Sequence, residues 1–394
     1  MKIKGLLWTG GVLAGFIALC IPADCRRLPE TIIRVSIITD ADKINLGCEG
    51  DYAVYALNDG EKKQFTGENI CLVQPFSGGI LFDDMKVLSG GVRIVPGDGA
   101  GSIRINGRRY RDSVLIKKNR KGKLNVINEL GIESYLAGVL PHEVNPAWDM
   151  EALKAQAVVS RTYAMSNLGK HKDDGHDLCN KVHCQVYAGA EGENSRTNRA
   201  VELTRGEVVT YKGNLISAVY HASCGGHTEN PKYVWSWGGN VPEYLYGVRD
   251  RYCVASPHFR WTKDVKEDFI IKKMETADYK DIRGIVSIIP GKKNNSGRNA
   301  AFFIKYIKKT GGTATLNVRA ARFRLIVDPW LIKSTKLDFI KKIDKNTFRF
   351  SGYGWGHGVG MCQWGAKHLS EKGWNYKKII HFYYHGTKVD TWEE

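Results

Sequence analysis

This 394-residue sequence lacks any internal repeat, heptad array or low-complexity tract. Those absences exclude a solenoid, a coiled coil and a disordered tether. Its glycine-rich runs have no Gly-Lys-Ser/Thr ending, which argues against a phosphate-cradling nucleotide loop. There is no Gly-x-Ser-x-Gly elbow and no recognisable Cys-His-Asn plan, so a serine or cysteine nucleophile of the familiar kinds has no support. Acid is in short supply: 41 Asp and Glu stand against 58 Lys and Arg, for a net charge of +17. That balance suits either a lysine-rich soluble surface or an anionic partner. The basic residues are spread along the chain without an aromatic RNP pattern, so an acidic cell-envelope polymer or anionic lipid is expected rather than nucleic acid.

The chain opens MKIKGLLWTGGVLAGFIALCIPADC. Lys2 and Lys4 precede an apolar run from Gly5 to Ile21, so residues 1–25 read as a signal peptide or short membrane anchor. Ile21-Pro22-Ala23 offers a small-residue cleavage site, whereas Leu19 and Asp24 are poor neighbours for lipoprotein processing at Cys20 or Cys25. An extracytoplasmic protein is expected, touching a membrane only through this segment. Disulfides are then the default for its body cysteines. Cys48 with Cys71 and Cys224 with Cys253 are plausible pairs by separation.

The pattern predicts an α+β fold. Residues 30–128 are short β-branched runs separated by turns such as Asn106-Gly107 and Lys121-Gly122, a β-rich domain. Residues 129–264 form a mixed core that carries a Cys/His segment. Residues 265–350 form an inserted helix-strand region, and 351–394 a glycine-rich loop and C-terminal helix that complete the core. Within the core, Ile132, Tyr135, Leu136 and Val139 predict a short helix ended by Pro141. Asp149 is a good N-cap for a second helix, with Glu151 favourable in its first turn. Leu153, Ala157, Ala164 and Leu168 make one stripe of that helix. Arg161 lies in the same stripe and needs a carboxylate or several carbonyls nearby. Residues 198–222 read as strand and turn, with a hairpin at Lys212-Gly213-Asn214.

Four constellations carry chemistry. Glu143 sits between Pro141 and Pro146 beside Val139, Leu140 and Val144, where a carboxyl can keep its proton near neutral pH. His171, His176, Cys179, His183 and Cys184 suit a tetrahedral zinc of Cys179, His183, Cys184 and either His171 or His176; the alternative is a Cys179–Cys184 disulfide. No organic cofactor is expected. The run from Gly352 to Ala366 interleaves Trp355, His357, Gln363 and Trp364 with glycines, which suits a polar ligand with flat apolar faces such as a sugar chain. Tyr220 to His227 holds His221, Ser223 and Cys224, better read as a substrate wall fixed by a Cys224–Cys253 disulfide than as a nucleophile. Cys362 has no evident role.

Together these stretches resemble the SpoIID/LytB family, stage II sporulation protein D type proteins of bacterial cell walls. The resemblance rests on YLAGVLPHEVNPAWDMEALKAQAVVSRTYA, DLCNKVHCQVYAG, YHASCGGHTEN with its following VWSW, and GWGHGVGMCQWGAK, in that order, with NGRRYRDSVLI upstream. It implies a peptidoglycan lytic transglycosylase with its catalytic glutamate at Glu143. Some family members are described instead as enhancers of a cell-wall amidase, and those with the His/Cys segment can hold zinc there. A lytic transglycosylase needs one carboxyl that acts first as acid and then as base, not the pair used for hydrolysis. Gln156, Arg161, Tyr163, Ser223, His357 and Gln363 are the expected substrate-binding or supporting residues.

Overall fold

The computed structural model describes residues 31–392, apart from 59, 61, 66–69, 84 and 98–100. The leader and its two cysteines lie outside the described residues. Among those described, no helix is long and apolar enough to cross a membrane.

The architecture is α+β, as the sequence predicts. Its first part is two sheets, of seven and six strands, that share one apolar core. Alternation explains their packing: in Ser102–Ile105, Ile103 and Ile105 are buried while Arg104 faces out. Ile33, Val35, Val114, Ile116 and Val126 from one sheet meet Ile44, Leu46, Val73, Ile80 and Ile103 from the other. Each such side chain contributes about 1.5–3 kcal/mol on burial. The expected Cys48–Cys71 disulfide is not formed, and both side chains are buried. The register gives the reason, since Cys71 stands opposite Leu46 rather than Cys48.

The strand Leu124–Gly131 pairs with Ile32–Ala41 and runs directly into helix α1, Ile132–Glu143. Pro141 does not end α1. Its ring costs the helix one backbone donor, but Val144 N still bonds to the Leu140 carbonyl at 3.0 Å, so the last turn closes. Glu143 is therefore the final residue of a helix and not part of a turn.

Helix α2, Met150–Ser166, begins where expected: the Asp149 carboxylate accepts from Glu151 N at 2.9 Å. Its buried residues reach three clusters. Ala157 and Ala164 join the β core, Ala155, Val158 and Val159 a second core, and Ala152 and Leu153 a small cluster with Trp148. A helix apolar on so many sides belongs at the centre of a fold. Leu168, assigned to its stripe, lies past its end and is exposed. Helix α3, Ser195–Leu203, replaces the expected strand: Asn194 caps it, and Thr197, Ala200 and Val201 form its buried face.

Residues 260–353 build a third core between two three-stranded sheets and helices α4, Glu267–Thr276, and α5, Ala320–Val327. The chain then returns to the centre. Helices α6, Gln363–Glu371, and α7, Tyr376–Tyr383, fill the second core. The terminal strand Lys388–Thr391 pairs with Glu207–Tyr211. A short parallel ladder joins Tyr220 to Met361 and His221 to Cys362.

Candidate active site

Glu143 is held at the C-terminus of α1, partly exposed, with its carboxylate crowded by protein. Desolvation pushes its pKa above the ordinary carboxylate value, against the opposing pull of hydrogen bonds from Val186 N, Tyr220 and Gln363. Val186 N donates to Oε1 at 3.2 Å. Gln363 Nε2 donates to the Glu143 backbone carbonyl at 3.1 Å and lies 3.4 Å from Gln156 Oε1. Three expected residues therefore meet at one place, brought by α1, α2 and α6.

Behind the carboxyl runs a network that the sequence reading left without a role. Tyr135 donates to Gln185 Oε1 at 3.1 Å, and Gln185 Nε2 donates to the Tyr220 hydroxyl at 3.1 Å. With Gln185 serving as its donor, the Tyr220 proton is directed to Glu143. Burial lifts Tyr135 and Tyr220 far above the usual phenol range, so both keep their protons. The one available signal was the position of Gln185 and Val186 immediately after Cys184.

The glycine run proves to approach the protein itself. Gly360 lies at φ +70°, and a Cβ there would sit 1.9 Å from the Val219 carbonyl. His357 packs against His221 and Trp235, with ring centroids 5.6 and 5.0 Å apart, and accepts from Val359 N at 3.1 Å. His221 donates through Nδ1 to the Val359 carbonyl at 3.0 Å, and its pKa is pushed down to about 3 by burial and then by Arg298. Both histidines are neutral. An aromatic ridge continues from this loop. Trp148, Trp364, His258, Trp355 and Trp330 follow one another with centroid separations of 5.2, 6.0, 4.7 and 4.9 Å. Trp330 at its end is 63% exposed.

Other expected residues are placed differently. Arg161 is fully enclosed: Nε and Nη2 hold Glu133 at 2.9 and 2.6 Å, and further bonds reach the carbonyls of Glu207 and Val201. It has the carboxylate and the carbonyls that its position demanded, and it presents nothing to a ligand. Ser223 is buried, with Oγ 3.0 Å from Cys253 Sγ. Tyr163 packs edge-on against Tyr220 and accepts from Lys170 Nζ at 3.3 Å. The expected Cys224–Cys253 disulfide is not formed.

Cys179 and Cys184 are also unbonded to each other. Ligand atoms of His171, Cys179, His183 and Cys184 lie within 4.8 Å of one another. His171 Nε2 is 3.4 Å from Cys184 Sγ, and His183 Nδ1 is 3.5 and 3.8 Å from Cys184 and Cys179. Two thiols and two imidazoles converging this way fit a tetrahedral zinc. His176, the alternative fourth ligand, stacks on the His171 ring and faces Asp174 instead.

Comparison with known proteins adds independent findings. Residues 120–211 match the family model described as Stage II sporulation protein, and residues 240–360 match a domain of unknown function. An uncharacterised protein of Brachyspira hyodysenteriae is 33% identical over 368 residues, covering 91% of this chain and 93% of that protein. The amidase enhancer of Bacillus subtilis is 32% identical over 361 residues, 80% of this chain, although this chain spans only 49% of its length. The stage II sporulation protein D of Bacillus subtilis is 27% identical over 278 residues, covering 67% of this chain and 75% of that protein.

Proposed function

The chain belongs to the SpoIID/LytB family of stage II sporulation protein D relatives, and on that premise we propose that it is an exported lytic transglycosylase of peptidoglycan glycan strands. The observation that carries the reading is Glu143, a carboxyl whose pKa burial raises and whose backbone carbonyl is held by Gln363, the residue before Trp364 of the aromatic ridge. The groups that act on it are an amide N–H, a phenol and a carboxamide, with no second carboxylate among them. That suits a reaction in which one residue serves twice.

Protonated Glu143 donates to the glycosidic oxygen between N-acetylmuramic acid and the next N-acetylglucosamine. The C1–O bond breaks and the leaving sugar departs as an alcohol. The Glu143 carboxylate then takes the proton of the muramoyl C6 hydroxyl as O6 bonds to C1. The 1,6-anhydro ring closes and Glu143 is protonated again. Val186 N and Tyr220 hold the carboxylate between the two steps, and Trp364, Trp355 and the exposed Trp330 of the ridge offer aromatic surface to sugar rings. A zinc held by His171, Cys179, His183 and Cys184 would be structural. Those residues fix the loop that delivers Gln185 and Val186 to Glu143. The net charge of +17 favours retention at an anionic wall.

Likeness to an amidase enhancer favours a second reading, in which the protein binds the wall and stimulates an N-acetylmuramoyl-L-alanine amidase without cutting glycan. Incubation with glycan strands, with and without stem peptides, followed by mass spectrometry separates the two. Anhydromuramoyl ends that vanish in Glu143→Gln support cleavage. Intact strands together with a faster added amidase support enhancement.

A further inference from the structure

A second group of metal-ligating side chains lies outside the His/Cys segment, and the catalytic reading does not use it. Cys224, Asp250, Cys253 and Cys362 come from three separate stretches of chain, and all four are buried. Their ligand atoms lie within 4.8 Å of one another. Cys362 and Cys253 sulfurs are 3.5 Å apart, and Cys224 Sγ is 3.3 Å from Asp250 Oδ2. A disulfide needs its sulfurs at about 2.05 Å. Arms of about 2.3 Å around a tetrahedral zinc place neighbouring sulfurs roughly 3.8 Å apart, close to the spacing seen here. We propose that Cys224, Asp250, Cys253 and Cys362 form a second, structural metal site that takes zinc through three thiolates and one carboxylate.

The surroundings are those of thiolate ligands. Cys362 Sγ accepts from Cys224 N at 3.3 Å and from Gly365 N at 3.4 Å, and Cys224 Sγ accepts from Gly226 N at 3.3 Å. Ser223 Oγ lies 3.0 Å from Cys253 Sγ. Backbone N–H groups aimed at sulfur orient a ligand and stabilise its anion. Asp250 is oriented as firmly: Oδ1 accepts from Tyr252 N and Cys253 N, and Oδ2 from the Tyr383 hydroxyl at 3.0 Å. Gly365 makes room, since a Cβ there would stand 2.3 Å from Asp250 Oδ2 and 2.0 Å from the Tyr383 hydroxyl.

Charge supports the same conclusion. A group of potential anions in an apolar core calls for a cation in its midst. Arg298 and Lys336 flank the cluster, donating to the carbonyls of Cys224 and Gly225, so part of the remaining negative charge is offset from outside. A metal here would tie the turn after Tyr220, the turn at 250–253 and the N-terminus of α6, which presents Gln363 to Glu143. The site also gives Cys362 a role.

Two measurements test it on the full chain purified without added metal. A crystal measured across the zinc absorption edge is expected to show an anomalous peak enclosed by these four residues, apart from any at His171–Cys184. Separately, a Cys179→Ser/Cys184→Ser variant is expected to retain about one zinc per chain, which a further Cys253→Ser change removes. Cobalt substituted into the double variant should give the intense thiolate-to-metal absorption of a tetrahedral sulfur site. If the variants do not fold, the anomalous map of the unmodified chain decides. No peak at the four residues, or a Cys253 disulfide in non-reduced peptide mass spectra, overturns the proposal.

Discussion

Replacing Glu143 by Gln is expected to lower strand cleavage by about 10²–10⁴-fold, the range removed with a general acid. The pH dependence follows from the direction of its shift. Burial raises the folded-state pKa, so the active acid form is lost as pH rises through that value. Folding therefore binds the Glu143 proton more tightly, and the stability it contributes is present at low pH and fades over the same rise. Glu143→Gln should accordingly melt higher than the parent above that pKa, with the gap closing on acidification. Tyr220→Phe removes a bond that favours the carboxylate, so its alkaline limb of activity should move to higher pH, measured on defined glycan strands. The crowded setting of the Glu143 carboxyl was legible because prolines and apolar neighbours mark it in one local stretch. Tyr220 and Gln185 were not, because a tyrosine 77 positions and a glutamine 42 positions downstream carry no local mark of the carboxyl they serve. Arg161 announced that it needed a partner, but Glu133, 28 residues earlier, could be named only once α1 and α2 were packed. Glu133→Gln should cost about 3–5 kcal/mol in a denaturant titration, since it strands a buried guanidinium, whereas replacing both residues by apolar ones should recover most of the loss.

At the scale of elements, the strands from Ile32 to Gly131 were readable from alternation, because one face of each meets a common core. The misreadings have local causes. Pro141 is a stop signal in most helices, but here it falls in the last turn, where the one bond it forfeits is a small loss beside the burial of Tyr135, Leu136, Val139 and Leu140. Helix α3 has only nine residues and is followed at once by the strand Glu207–Tyr211, so its β-like neighbour masked a narrow apolar face. The glycines from Gly352 onward were read as letting the backbone approach a ligand, whereas their close neighbours are other parts of the chain. What Gly354, Gly356 and Gly360 approach is the segment from Val219 to Gly225, a fact that depends on the parallel ladder at Tyr220 and His221.

For the whole molecule, the last forty residues are part of the centre rather than an appendage. Ile379, Ile380, Tyr383 and Tyr384 are buried in the second core, beside Val158, Val159 and Cys224. A chain truncated before Tyr376 is expected to lose several kcal/mol of stability from these side chains alone. It should show a collapsed near-ultraviolet circular dichroism signal around the site, while the β-rich first part keeps its far-ultraviolet strand signature.

The bond between Gln363 and the Glu143 backbone spans 220 positions of sequence. A polypeptide delivered from its N-terminus presents the carboxyl long before the helix that braces it. Contacts of such long range form late, and they slow folding. On the proposed reaction, the Glu143 site is therefore completed only when the C-terminal helices arrive, and a nascent or stalled chain is expected to be latent. Activity measured during refolding from denaturant should lag behind recovery of the β-sheet signal.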